Sequence, residues 1–449
     1  MANDTTALPE GTRCADPGGG DATALPEGTH TIALGLGDMN GLLRGKRIPA
    51  DQWPRVCTSG NALSIAMFAC DMTSDVWDTP YVNMDNGYPD MHVFPGGRVH
   101  AVPWEEGCAF CFGRARGADY EPVPIDPRGA LEAQVARAES MGFQVAIGAE
   151  LEFYLLDPET LTPVDVGNQF YGLSRAAELE HVIGPIRRQL PEVGIPIEQS
   201  NPEYAAGQVE VNILYGEALA TADRVVAFRS FVKEIARSHG FLATFMSKPF
   251  ADQSGSGFHT HHSLWADGGN VFADARGGLS PTGLHYLAGM QERMVETALV
   301  AATTPNAYRR RRPFTFCPTN NTWGCDNRTV GLRVIEGAPD AVRVEKRDGS
   351  ADCNPYYLIA CELAAGLDGI DGAMEPRHFC RGNGYEHGEA EPLPSDLETA
   401  LELARNSEFL HRILGEDRLD ILAGQAEREL GFLADQITPV ERDRYLRNF

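Results

Sequence analysis

Five glutamates and one histidine recur over some two hundred residues, in segments that read as β-strands with polar or charged residues two positions apart. The segments are Gly148–Phe153 with Glu150 and Glu152, Glu203–Glu210, Gly255–His261 with His259, and Arg343–Arg347 with Glu345. In a strand, residues i and i+2 point to the same side, so each segment offers its polar residues to one face and most of the others to the opposite face. A single glutamate of this kind reads best as a surface charge or a salt bridge. Six hard or borderline ligands set in strand-like segments read as a carboxylate centre for Mg2+ or Mn2+. The set exceeds what one ion needs, which points to two or more ions handling phosphate chemistry.

The chain has 449 residues, enough for two or three domains with a sizeable core. Its formal net charge of -25 argues against nucleic acid or an anionic membrane as partner. No apolar run is long enough to span a bilayer and no signal-like N-terminus is present, so a cytoplasmic protein is expected. The ten cysteines are scattered and read as buried free thiols. Cys108 and Cys111 form a C-x-x-C, but the run Cys-Ala-Phe-Cys-Phe reads as a strand rather than a zinc or redox site.

Thr6–Thr12 is repeated at Thr23–Thr29 around a Pro-Gly-Gly-Gly run, which suggests a flexible tail over residues 1–30. Residues 31–125 predict a small strand-rich domain, with 122–127 as linker, and residues 126–449 a larger one in which strands and helices alternate. Helices are expected over 128–141, 174–190, 218–240, 284–302 and 354–367. The last fifty residues predict peripheral helices with solvated charged faces. The fold class is α+β.

Gly255-Ser256-Gly257 is a turn that can bring backbone N–H groups close to a ligand. His261 and Ser263 share the strand face of His259 and could reach a nucleotide, although His261 reads equally well as a satisfied core histidine. Arg309–Arg312, Arg328, Arg333, Arg343 and Arg347 form a basic cluster suited to phosphate or carboxylate. Arg333 could instead simply neutralise the glutamates.

These segments, with Asp38-Met39-Asn40-Gly41, Arg44-Gly45-Lys46, Lys248-Pro249-Phe250, Asn306–Arg310, Asn327-Arg328 and Asn354-Pro355-Tyr356, resemble the glutamine synthetase family from about Asp38 onward. The resemblance implies a small N-terminal β-grasp domain and a larger α/β catalytic domain with a curved antiparallel sheet. It also implies a homo-oligomer, commonly a double-ring dodecamer, in which a neighbour's N-terminal domain completes each site. Carried over by motif, Glu152, Glu203 and Glu210 would hold one metal, and Glu150, His259 and Glu345 the other. Arg310 and Arg347, with the Gly255 backbone, would bind the carboxylate of glutamate. Arg328 and Arg343 would bind ATP phosphates and the transferred phosphoryl, with His261 and Ser263 near the nucleotide.

The chemistry implied is ATP-dependent phosphorylation of the glutamate side chain, followed by attack of an amine on the acyl phosphate. Ammonia-using members carry a glutamate six residues after the arginine matching Arg310; here that residue is Phe316. A phenylalanine cannot deprotonate ammonium, but it can pack against an apolar amine substituent. Asp71 is the candidate for the other acidic group of the amine site, reached across a subunit interface; Trp77, Phe314 and Trp323 are candidates for apolar lining. The tyrosine that is adenylylated in some bacterial members has no clear counterpart over 389–394. Residues 74–97 look more like relatives that make γ-glutamylamides. The expectation is a ligase joining glutamate to an organic amine; an ammonia-dependent glutamine synthetase and a non-catalytic assembly are the alternatives.

Overall fold

The computed structural model describes residues 21–164 and 170–448. The first copy of the repeated heptapeptide lies outside the described residues. The second forms turns and is tied down: the Trp53 indole donates to the Ala22 carbonyl at 2.9 Å, and Leu25 packs on the N-terminal core.

The N-terminal sheet contains β1 (Thr31–Gly37), β2 (Leu43–Pro49), β3 (Asn61–Ser64), β4 (Asp90–Pro95), β5 (His100–Ala101) and β6 (Cys108–Arg116). The order is β2-β1-β6-β4-β3, with β1 parallel to β6 and the other pairs antiparallel. Strand alternation explains why β6 is almost wholly buried. Ala109, Cys111 and Ala115 face the small core with Ile32 and Leu34, whereas Cys108, Phe110 and Phe112 face the large one. Cys108 and Cys111 therefore sit on opposite faces, and both are free thiols.

The large sheet contains β7 (Gln144–Leu156), β8 (Ile197–Pro202), β9 (Gln208–Glu217), β10 (Leu242–Thr244), β11 (Phe258–Ala266), β12 (Gly269–Asn270), β13 (Trp323–Cys325), β14 (Leu332–Ile335) and β15 (Arg343–Lys346). Its order is β13-β14-β15-β11-β7-β9-β8, antiparallel except for β13 with β14. Ile147, Ala149, Leu151 and Phe153 on one face of β7 enter the core beneath helices Ala218–Ser238 and Pro355–Asp371. The opposite face carries Glu150 and Glu152.

Two devices join the layers. Phe110 meets Phe231 edge-on at 4.9 Å. Asn354 caps its helix by accepting from Tyr356 N–H at 2.9 Å, while its amide donates to the carbonyls of Asp38 and Met39 at 3.2 and 2.9 Å.

The helix expected over 284–302 is broken into Pro281–Arg293 and Ala298–Ala301. The C-terminal helices have the expected solvated charged faces, and their apolar faces reach into both cores. Leu397, Leu401, Phe409, Leu410 and Ile413 are buried in the large core, and Ile421 enters the small one. This segment is an integral clamp across both layers, because its apolar positions exceed what a solvated face needs. Only its final helix, Pro439–Tyr445, has no buried residue. No helix of the described residues is long and apolar enough to cross a membrane.

Candidate active site

Strand register brings the ligands together. Glu152 stands opposite Glu210, Glu150 opposite His259, His261 opposite Glu345, and Arg333 opposite Glu345. Glu203 lies on the turn between β8 and β9, closed by its own N–H donating to the Gln208 carbonyl at 2.8 Å. The ligand atoms of Glu152, Glu203 and Glu210 fall within 4.8 Å of one another, and so do those of Glu150, His261 and Glu345.

The first group is a knot of negative charge. Burial, then the charge of Glu152, pushes Glu203 up to about 7. Burial and next Glu150, Glu203 and Glu152 push Glu210 well above the ordinary range. The neutral donors present, Asn201 Nδ2 on Glu203 at 2.9 Å and Gly257 N–H on Glu152 at 2.6 Å, do not cancel three carboxylates. A divalent cation is the species that stabilises such a set.

The second group is already partly neutralised. Burial works against the charge of Glu150, yet His261 and then His259 hold it well below the usual range. Burial likewise opposes the charge of Glu345, which Arg347 and then His261 bring down to about 2. His259 Nδ1 lies 3.3 Å from Glu150 and 3.6 Å from Glu345. His261 Nε2 is closer, 2.9 Å from Glu150. Both imidazoles reach the group that the motif assigned to His259. Arg343 Nε donates to His261 Nδ1 at 3.2 Å, which leaves the proton of that ring on Nε2.

The arginines divide by contact. Arg310 donates to the backbone carbonyls of Asp348 and Arg347, both at 3.2 Å. A Cβ on Gly255 would meet Arg310 Cγ at 2.6 Å, and one on Gly257 would meet its Nη2 at 2.6 Å. Those glycines leave the guanidinium its room. Arg347 pairs with Glu345 through Nη1 and keeps an unpartnered Nε. Arg333 donates to Glu345 at 3.2 Å and also pairs with Asp326, as the neutralising alternative expects. Arg328 is exposed and lowers both Glu203 and Asp326 only from a distance.

A cavity of about 340 Å3 opens beside the second group, lined among others by Glu150, Tyr215, His261, Ser263, Asp340 and Arg343. Tyr215 was missed from sequence. The β7–β9 pairing shifts register between Ile147 and Ala149, so period-two counting from Glu210 loses its parity before Tyr215. Ser263 accepts from the Trp265 indole at 3.0 Å.

Phe316 is 56% exposed and Phe314 71%, on a loop where both have positive φ, 58° and 64°. The Phe314 ring lies 5.4 Å from that of Tyr385, tilted by 53°. Holding two aromatic residues in the left-handed region is costly and marks a shape imposed by the surroundings. Trp77 lies instead under Arg428, 5.3 Å from its ring centroid, and Trp323 packs on Phe379. Asp71 accepts from Thr73 N–H at 2.8 Å, Thr73 Oγ1 at 2.7 Å and Asp75 N–H at 3.0 Å. None of its hydrogen bonds is with the carboxylate face of its own chain.

Residues 124–445 match the family described as glutamine synthetase, catalytic domain. A glutamate–isopropylamine ligase of a Pseudomonas species is 33% identical over 90% of this chain and 92% of its own. A γ-glutamylethanolamide synthetase of Streptomyces coelicolor is 33% identical over 90% of each chain, and a glutamine synthetase of Thermococcus kodakarensis is 34% identical over 76% of this chain and 79% of its own. A solved structure described as apo GmaS superposes with a TM-score of 0.83 at 31% identity, covering 94% of this chain and 97% of that one. The metal-ready carboxylate face, the arginines around it and these likenesses lead to one conclusion: the chain belongs to the glutamine synthetase family.

Proposed function

We propose that the protein is an ATP-dependent ligase that joins glutamate to an organic amine, giving a γ-glutamylamide, ADP and phosphate. The observation that carries this reading is Phe316, exposed on the loop that follows Arg310, where ammonia-using relatives carry a glutamate.

In this reading Glu152, Glu203 and Glu210 hold one divalent cation, and Glu150, His259 and Glu345 a second. When bound, these cations supply positive charge against the phosphates. The cavity at Tyr215, His261 and Ser263 takes the nucleotide. Arg343 and Arg328 bind phosphate oxygens, whereas Arg333 and Arg347 offset Glu345. Arg310 and Arg347, beside the Gly255 backbone, orient glutamate by its α-carboxylate.

A carboxylate is a poor acyl donor. Attack of its side-chain oxygen on the terminal phosphorus of ATP expels ADP and turns that oxygen into part of a leaving group. The amine nitrogen then attacks the acyl carbon, the C–O bond to phosphate breaks, and the amine loses its proton. Phe316 supplies apolar surface to the amine substituent and no base. Asp71 of a neighbouring subunit in a double ring is the group that takes the proton. An apolar alkyl or aryl amine suits this site better than a polyamine, which would require carboxylates along its path. The domain division at residues 125–126 belongs to the same reading.

The test is ATP- and Mg2+-dependent phosphate release with glutamate and a panel of ammonia, alkylamines, ethanolamine, polyamines and anilines, with products identified by mass. The expected result is γ-glutamylamide formed far faster than glutamine. Preference for ammonia would mean that Phe316 does not define the amine site. In Phe316→Glu, the ammonia-to-amine ratio of kcat/KM should rise about tenfold or more, since a positioned base contributes at least that much.

A further inference from the structure

A second cavity, of about 700 Å3, lies where the loop after β1, helix Ala218–Ser238, the segment 303–309 and helix Glu416–Ala434 meet. Its walls are largely apolar, from Leu42, Phe245, Met246, Phe432 and Leu433. Set into them is Arg229, only 4% exposed, with Nε and Nη2 buried and without hydrogen-bond partners. The guanidinium lies 5.7 Å from the Phe258 ring centroid, is hydrogen-bonded to the Cys353 side chain and feels the charge of Asp352, but makes no direct salt bridge among the described residues.

Lys233, one turn further along the helix, and Arg309 add two more cations to the lining. Asp352 and Glu429 are the acids present. Asp352 is engaged by Ser247 Oγ at 2.6 Å and lies 3.5 Å from Thr304 Oγ1. Burial raises Asp352, against which Ser247 and the charge of Arg229 lower it, and burial raises Glu429, helped by the charge of Asp71. Two buried guanidinium nitrogens without acceptors are unfavourable, and the planar fork they form matches a carboxylate.

We propose that this cavity binds a small organic carboxylate with an apolar body, its carboxylate on Arg229 and its chain along Phe245, Met246 and Phe432. The cavity's lining shares no residue with that of the cavity beside the second ligand group, and the proposal does not depend on the identity of the amine.

Calorimetric titration of the full-length protein with octanoate, in saturating ADP, Mg2+ and glutamate, tests the proposal. Octanoate is expected to bind and octanol not to. Arg229→Met should weaken binding at least about tenfold, the worth of a charge-assisted hydrogen bond. Met246→Trp, which fills the cavity from a partly exposed position, should abolish it, with ADP binding retained in both variants. Equal binding to wild type and Arg229→Met, or no binding to wild type, overturns the proposal. So does binding that appears only after deletion of residues 435–449, which would assign the cavity to the C-terminal segment of a second copy.

Discussion

The two ligand groups on the large sheet are built from nearly the same residue types and have opposite electrostatics. Glu152, Glu203 and Glu210 face one another with amide donors but no close cation, and burial with mutual repulsion raises Glu203 and Glu210. Glu150 and Glu345 stand among His259, His261, Arg333 and Arg347, and are lowered. The first group therefore depends on an ion for its charge, whereas the second carries most of its own compensation.

The largest expected effects come from neutralising one acid in each. Glu203→Gln and Glu345→Gln should both lower ligase activity by about a hundredfold or more, measured at saturating ATP and glutamate, because each removes a ligand of the proposed metal sites. Their effects on metal-free stability should diverge. Glu345→Gln leaves Arg347 unpaired in a buried place and Arg333 with Asp326 alone, and should destabilise by about 3–5 kcal/mol, whereas Glu203→Gln relieves repulsion and should raise Tm. Equal destabilisation by the two would break the contrast.

The pH dependence sharpens it. Glu203 has a folded value near 7 against an ordinary 4.5, so between those values the metal-free folded state binds more protons than the unfolded one. Stability should therefore fall as pH rises from about 4.5 to 7 and level off above. Glu345, lowered to about 2, contributes stability that is present above 4.5 and lost as pH falls toward 2. Thermal unfolding across pH, with and without Mn2+, checks both limbs. Mn2+ should remove the loss on the neutral side and bind more tightly at pH 8 than at pH 6. The smallest effect concerns Arg333: its replacement by Lys keeps the charge but loses the fork shared by Glu345 and Asp326. It should cost about 1 kcal/mol, read from denaturant unfolding.

Much of this site was legible in the sequence because strand period is short and exact enough to count. Glu150 with Glu152, and His259 with His261, are same-face pairs in the structure as spacing requires. Reading failed where geometry left that period. Tyr215 lies beyond a register shift, and the closeness of His261 to Glu150 depends on side-chain packing that spacing does not encode. The C-terminal helices have the solvated charged faces that spacing predicts, but spacing does not say which core their apolar positions enter. Leu410 and Ile413 prove buried among residues distant in the chain. Phe316 was found through its place in a family pattern; nothing local to Arg312–Cys317 predicts two aromatic residues at positive φ.

The central claim is that this carboxylate face serves an organic amine in preference to ammonia. Its most direct measurement is a competition. The protein would be given ATP, Mg2+, glutamate and equal concentrations of isopropylamine and ammonium, and the ratio of γ-glutamylisopropylamide to glutamine read by mass spectrometry. A ratio well above one, falling in Phe316→Glu, is the predicted result; glutamine as the main product of the wild-type protein, unchanged in the variant, would contradict it.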